Sequence, residues 1–334
     1  MAVKPRIAVV GLGSIGRRHA RLLAARGDLA VEWCEADPAA VAHARRELGE
    51  PARLHASFEA LLATAPELLV IATPHSRHEE QAVAALRAGA HVLCEKPMAD
   101  TLAAALRLRA AARASDRVLT FGFQLHFNAG LRRLRELLLG GGLGTPLHLH
   151  CRVGSYITLV NSRSRHQATM EGSLLMDYTH QPDLLHWFLG EAPAGVYAGG
   201  GQAGRMELTS RPNFLAVHCD YARPLLATIH LNYAQMPERH EYEFAGDEAW
   251  ALYDFNTGRL RIGRRAAAAE TTEDFPVERD PMYTAEHTAF LDAVAGRRPA
   301  ESPPDAAIES MRLIEAALES WRAGRRVPLP PLPA

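Results

Sequence analysis

The chain has 334 residues, longer than single hydrophobic cores usually grow, so two domains are the default expectation. Its 37 basic and 38 acidic residues leave a formal net charge of -1, which gives no electrostatic reason to expect nucleic acid or an anionic membrane surface as a partner. A hydrophobic share of 48% is ample for sizeable cores, and the four cysteines (Cys34, Cys94, Cys151, Cys219) form no C-x-x-C pair, which argues against a zinc knuckle or a redox dithiol.

The first apolar run, Ile7, Ala8, Val9 and Val10, starts too near the first residue to leave room for a signal peptide, and no apolar stretch approaches membrane-spanning length. A cytoplasmic protein is expected. That run meets glycines at Gly11, Gly13 and Gly16, the G-x-G-x-x-G spacing after a predicted strand and at the start of a predicted helix. Gly11 permits a tight turn, Gly13 leaves room for a pyrophosphate to approach the backbone, and Gly16 lets helix and strand pack closely. The helix N-terminus then offers free N–H groups and a partial positive charge to phosphates. A second apolar run, residues 29–34, ends at Glu35, about 20 residues past the third glycine, where a carboxylate would accept hydrogen bonds from an adenosine ribose. Alone, the glycines read as an ordinary strand-turn-helix corner; with Glu35 they predict a dinucleotide site.

The next stretch alternates strand and helix: helix 38–48, strand 53–55, helix 58–63, strand 68–72 (LLVIA), helix 79–88 closed by Gly89, strand 91–94 and strand 118–123. Continuous apolar strands alternating with helices predict a doubly wound parallel sheet covered on both faces. From Pro146 the pattern becomes period two. Leu147, Leu149, Cys151 and Val153 share one face, opposite His148, His150 and Arg152; Leu225, Ala227, Ile229, Leu231 and Tyr233 repeat this opposite Thr228, His230 and Asn232. Further strands at 215–221, 242–245, 250–253 and 260–262 complete a large, mainly antiparallel open sheet, with helices 131–139 and 174–189 over its apolar face. Helices at 285–295 and 305–323 close the chain, before an extended proline-rich tail. The fold class is therefore α/β, with an N-terminal Rossmann domain over residues 1–122 and an α+β domain for substrate binding and oligomerisation over residues 123–334. Burial of an open sheet face predicts a homodimer or homotetramer.

Five segments in order, GLGSIGRRH (residues 11–19), ATPHSRH (72–78), EKP (95–97), GFQLHFNAGLRRLREL (122–137) and GSLLMDYTHQPDLLHWFLG (172–190), resemble the Gfo/Idh/MocA family of NAD(P)-dependent sugar and cyclitol oxidoreductases along essentially the whole chain. The resemblance implies that Gly11, Gly13, Ser14, Ile15, Gly16, Glu35, Thr73, Pro74, His78, Glu95, Lys96 and Gln124 bind the cofactor. It also implies that the Lys96 ammonium contacts the reacting hydroxyl and that Glu95 helps fix the nicotinamide end. Removing a hydride from a carbinol carbon needs a base and a cation near the oxygen. Lys96 supplies the cation; without the motif it reads as a solvated surface lysine.

Asp177 and His180 complete the catalytic set, with His180 as the base and Asp177 as the carboxylate that orients it. The competing readings are a histidine buried between domains and a helix-start cap. Residues three apart on one helix share a face. The commoner family pattern separates aspartate and histidine by four positions; alignment on His180, Asp183 and Trp187 would put Met176 in the aspartate place. D-Y-T-H at residues 177–180 resembles a family variant, D-x-S-H. Pro182 clashes with the carbonyl of Tyr178 in a continuous helix, so the helix starts near Gln181 or kinks there. His78 either lines the nicotinamide side or sits on the surface at a helix start.

Glu35 favours NAD by repelling a 2′-phosphate, while Arg17 and Arg18 leave NADP possible. Tyr156, Arg163 and Arg165 lie in a polar stretch read as a substrate-facing loop. No His/Cys/Asp/Glu spacing matches a zinc or iron site, and no metal is expected. The expected activity is hydride transfer between a secondary alcohol of a sugar, sugar acid or cyclitol and the nicotinamide. The alternatives are an NAD-dependent glycosidase acting through transient oxidation and elimination, and a non-catalytic sugar-responsive regulator.

Overall fold

The computed structural model describes residues 4–161, 170–202, 204 and 211–332. Residues up to Gln124 together with Arg279–Ile308 form one compact unit, and Leu125–Glu278 with the residues from Glu309 onward form a second.

The first unit runs β1 (Arg6–Val10), α1 (Ser14–Ala25), β2 (Ala30–Cys34), α2 (Pro38–Leu48), β3 (Arg53–His55), α3 (Phe58–Leu62), β4 (Leu68–Ile71), α4 (His78–Arg87), β5 (His91–Glu95), α5 (Leu102–Arg113) and β6 (Leu119–Gly122). All six strands are parallel, in the order β3-β2-β1-β4-β5-β6. Strands covered on both faces bury every side chain, as β4 and β5 do. Local sequence sets the helix starts. Asp37 accepts from the Ala39 N–H at 2.9 Å, with Pro38 in the first turn of α2, and Ser57 and Thr101 cap α3 and α5 in the same way. Sequence patterning places no helix at α5, whose alanine-rich stripe (Ala104, Ala105, Leu108 buried) carries little periodic contrast.

The second unit begins with α6 (Ala129–Leu139), β7 (Pro146–Gly154), α7 (Ile157–Asn161), α8 (Ser173–Asp177) and α9 (His180–Leu189). Strands β8 (Gly195–Gly201), β9 (Phe214–Asp220), β10 (Leu226–Asn232), β11 (Arg239–Gly246), β12 (Ala249–Asp254), β13 (Arg259–Arg264) and β14 (Ala269–Asp274) follow. The chain ends with α10 (Asp280–Val294), α11 (Pro304–Ala323) and β15 (Val327–Pro328). Among the described residues the sheet has nine strands, ordered β14-β13-β12-β11-β7-β10-β9-β8-β15, with β7 and β10 parallel and the other neighbours antiparallel. Leu149, Cys151, Val153, Ala227, Ile229 and Leu231 are buried on the covered face, and α6 approaches so closely that a Cβ on Gly130 would meet the Tyr253 ring at 2.2 Å. Leu147, expected on that face, is 48% exposed. The pairing skips it, from Ala245 opposite His148 to Gly246 opposite Pro146, and such a bulge re-aims the side chain.

The predicted division at residues 122/123 assigns everything after it to the second domain. The structure instead groups residues 279–308 with the first unit, because α10 returns to the parallel sheet: Phe290 joins the core of Ile7, Val9, Leu12, Leu23, Val31, Trp33 and Leu93. All four cysteines are buried free thiols. Among the described residues, no helix is long and apolar enough to cross a membrane.

Candidate active site

The strand order reverses direction between β1 and β4, and in such sheets the ligand crevice lies beyond the C-terminal ends of the strands at this switch point. The predicted cofactor residues Gly11, Glu35, Thr73 and Glu95 follow or end β1, β2, β4 and β5 at that edge.

Each glycine of the first turn answers to a different constraint. Gly11 has φ +88°, and a Cβ there would lie 2.9 Å from the Ala72 carbonyl oxygen. A Cβ on Gly16 would lie 1.8 Å from the Gly11 carbonyl oxygen, so glycine is the condition for α1 to start against β1. At Gly13 a Cβ would meet nothing within 4 Å, and φ is -61°, so neither packing nor backbone strain explains that glycine. Open space beside it, and an N-terminus of α1 with no side-chain cap, fit a phosphate group that approaches the backbone there. Ser14, exposed, and Ile15, half-buried, form the first turn of α1.

Glu35 is half-buried at the end of β2, where its two oxygens accept the N–H groups of Leu12 (2.8 Å) and Asp37 (2.9 Å). The carboxylate thus ties the glycine turn to β2, and lone pairs remain for ribose hydroxyls. Arg17 donates to Glu47 and to the Leu12 carbonyl, while Arg18 pairs with Asp280 and lies 5.2 Å from the Tyr283 ring centre.

His78 is 1% exposed, which rules out the surface reading. Its Nδ1 lies 2.8 Å from the Pro97 carbonyl oxygen and its Nε2 lies 2.9 Å from that of Thr73. The ring therefore bridges the turn after β4 to the turn after β5. Burial holds its pKa below the ordinary histidine value, against the pull of the two carbonyls. Neutral, it donates to one carbonyl; protonated, to both. The Thr73 hydroxyl donates to Gln81 at 2.6 Å, Pro74 leads into a short 3-10 turn, and Gln124 is buried at the start of another. Lys96 is half-buried just past β5, and its backbone N–H donates to Glu95 at 3.2 Å. Gly122 stands beside Glu95 in the β5–β6 register, and a Cβ on it would lie 2.9 Å from the Glu95 carboxyl carbon, so the last residue of β6 makes room for that side chain. Although no spacing in the sequence suggests it, the fold also gathers one ligand atom each from His19, Glu95 and Glu286 within 4.8 Å of one another.

In the second unit, Asp177 ends α8 and His180 opens α9. The single helix expected over residues 174–189 is broken at Tyr178 and Thr179, where Pro182 would have met the Tyr178 carbonyl. Asp177 and His180 are therefore not neighbours on one helix face. Asp177 accepts a 2.5 Å hydrogen bond from the Tyr233 hydroxyl, whose pKa is pushed up by burial and by the Asp177 charge, so Tyr233 remains a donor. Nothing in the sequence pairs these two, because Tyr233 reads only as the last apolar position of its strand. Asp183 also has a partner the sequence does not show: its carboxylate lies 2.7 Å from His126 Nε2, both side chains buried, and the His126 ring stacks on Trp187 at 4.7 Å. Gln181 donates to the Tyr242 hydroxyl at 3.3 Å. Tyr156, half-buried, follows β7, and its N–H donates to the Gln235 carbonyl at 2.9 Å. Arg163 and Arg165 lie outside the described residues.

Two family models match: residues 5–123 match the oxidoreductase family with the NAD-binding Rossmann fold, and residues 135–329 match its C-terminal alpha/beta domain. An inositol 2-dehydrogenase of Streptomyces avermitilis is 35% identical over 199 residues, 57% of this chain and 54% of the relative, so the chain matches about half the length of that protein. Inositol 2-dehydrogenase 3 of Saccharopolyspora erythraea is 27% identical over 336 residues, 97% of this chain and 95% of the relative. An oxidoreductase from Agrobacterium radiobacter, solved in complex with NAD+, L-tartaric acid and magnesium, shares the fold with a TM-score of 0.87 at 17% identity, covering 98% of this chain and 99% of that one. The chain therefore belongs to the Gfo/Idh/MocA oxidoreductase family, and its first unit carries that family's NAD-binding Rossmann fold.

Proposed function

We propose that the chain oxidises a secondary alcohol of a cyclitol, sugar or sugar acid, with NAD preferred over NADP. The observation that carries this reading is the position of Lys96, at the strand-end edge of the nucleotide-binding sheet, with its backbone N–H held by Glu95. The inositol 2-dehydrogenases among the relatives support a polyhydroxylated ring as substrate.

Gly11, Gly13 and the first turn of α1 would hold the pyrophosphate, Glu35 the adenosine ribose, and the Thr73-Pro74 and Glu95-Lys96 turns the nicotinamide end. When bound, the nucleotide supplies the hydride acceptor. The Lys96 ammonium stabilises negative charge developing on the substrate oxygen. His180 takes the hydroxyl proton, and Asp177, anchored by Tyr233, contributes the negative charge that favours a protonated imidazole. Glu35 repels a 2′-phosphate, and the internal bonds of Arg17 and Arg18 give neither arginine over to one, which supports NAD.

The test is a panel of inositols, sugars and sugar acids screened for nucleotide reduction with NAD and NADP, repeated with Lys96→Ala and His180→Ala. Turnover with NAD by the parent and a loss of at least about 100-fold in kcat in each variant is the expected result. Variants that match the parent would remove both residues from the mechanism. Release of an aglycone without net reduced nucleotide would replace the dehydrogenase with a glycosidase.

A further inference from the structure

Glu286, on α10, is 3% exposed, and among the described residues neither of its carboxyl oxygens has a hydrogen-bond partner. A buried carboxyl without partners is costly, so its protonation state or its neighbours must compensate. Its surroundings are crowded with ionisable groups. One of its oxygens lies within 4.8 Å of a Glu95 oxygen and of a His19 ring nitrogen. Glu95, from β5, has one oxygen 2.9 Å from His19 Nε2 and accepts from the Lys96 N–H at 3.2 Å on the other. From α1 comes His19, and from α10 itself come Tyr283, which Arg18 of α1 faces, and His287, which lies 2.7 Å from His19 Nδ1 and feels Arg26 at the end of α1.

Two buried carboxyl groups with oxygens within 4.8 Å of one another disfavour double ionisation. A divalent cation or a proton would resolve the conflict, and the bonding pattern separates the two. A cation coordinated by all three side chains would compete with the existing bonds of His19 and Glu95, whereas a proton on Glu286 displaces nothing and has a Glu95 oxygen within 4.8 Å.

We propose that Glu286 is a positioning residue: a proton it shares with Glu95 holds the Glu95 carboxylate, and through the Glu95 to Lys96 N–H bond fixes the turn that carries the Lys96 ammonium. Burial and the Glu95 charge both push the Glu286 pKa well up, in the same direction. The assignment of a role to Lys96 rests on the proposed function; the shared proton does not.

The experiment uses the full chain, without nucleotide for the spectroscopy. Infrared spectra of the parent should contain the carbonyl stretch of a neutral, buried carboxylic acid, and Glu286→Gln should lose that band. The Gln amide replaces the neutral carboxyl in shape and keeps a donor, so kcat and KM should stay within about threefold of the parent. Glu286→Ala should lower kcat by about 10- to 100-fold with little change in KM, the scale expected when a reacting group is misplaced. A parent spectrum with no acid band that vanishes in Glu286→Gln overturns the proposal. So does a Glu286→Gln enzyme as impaired as Glu286→Ala, or activity that a chelator abolishes and a divalent ion restores. If Glu286→Ala does not fold, the infrared comparison and Glu286→Gln still decide. If no polyol is oxidised by the parent, the proposed function falls, and the infrared band alone decides the shared proton.

Discussion

Two buried side chains set measurable properties of the site without being legible as functional in the sequence. Tyr233 is fully buried and donates a hydrogen bond from its hydroxyl to Asp177 at 2.5 Å. Hydrogen bonds to charged groups contribute about 1.5–3 kcal/mol, so Tyr233→Phe should cost stability in that range in denaturant unfolding. Because Asp177 would lose its anchor, kcat/KM should also fall about tenfold, equivalent to about 1.4 kcal/mol of transition-state stabilisation. His78 governs a dependence on pH. Burial lowers its pKa, and burial together with His19 and Arg26 lowers that of His287. An unfolded histidine takes up its proton near pH 6.5, so below that value the unfolded chain binds more protons than the folded one. The stability these groups permit is intact above about pH 6.5 and declines as the pH falls toward the folded pKa, by up to about 1.4 kcal/mol per pH unit for each site. Urea melts between pH 7.5 and 5 should show this slope, and His78→Gln should flatten it. Glu286 acts in the opposite sense: its raised pKa means that stability is greatest below the ordinary carboxylate range and declines as the pH rises above it.

The β1-turn-α1 corner shows how far a local motif can be read. Three glycines in fixed register predict three different constraints, and the structure distinguishes them: strain at Gly11, contact at Gly16, and neither at Gly13. Gly16→Ala should destabilise the chain by about 1–3 kcal/mol or more, because the added methyl meets backbone that cannot yield. Gly13→Ala should cost below about 1 kcal/mol in unfolding while weakening NAD binding in calorimetry by at least about tenfold. Equal effects of the two substitutions on stability would contradict the separation. The helix break before His180 is legible for the same reason, since Pro182 and Tyr178 are four residues apart. β8 is not, because GVYAGGG is poor in strand-forming side chains and its pairing is supplied by β9 and β15. The His126–Asp183 and Tyr233–Asp177 bonds join residues 57 and 56 positions apart, separations at which no periodicity carries information.

Chain connectivity is where pattern reading has least purchase. The change from helix-strand alternation to period-two strands marks the end of the parallel sheet, and nothing in the later sequence announces that residues 279–308 rejoin the first unit. What brings them back is shape. Phe290 is 2% exposed within the core formed by β1, β2, β4 and α1, and the same helix carries Glu286 and His287 to His19 and Glu95. The core against the nucleotide-binding sheet is thus completed by a segment that follows β7 to β14 of the large mixed sheet and precedes its last strand, β15. Phe290→Ala should cost about 3–5 kcal/mol, as truncation of a buried aromatic does. Amide hydrogen exchange should locate the loss: faster exchange in β1, β2, β4 and α1, with β7 and β10 keeping parental protection. Loosening confined to the antiparallel strands would mean that α10 belongs energetically to the second unit.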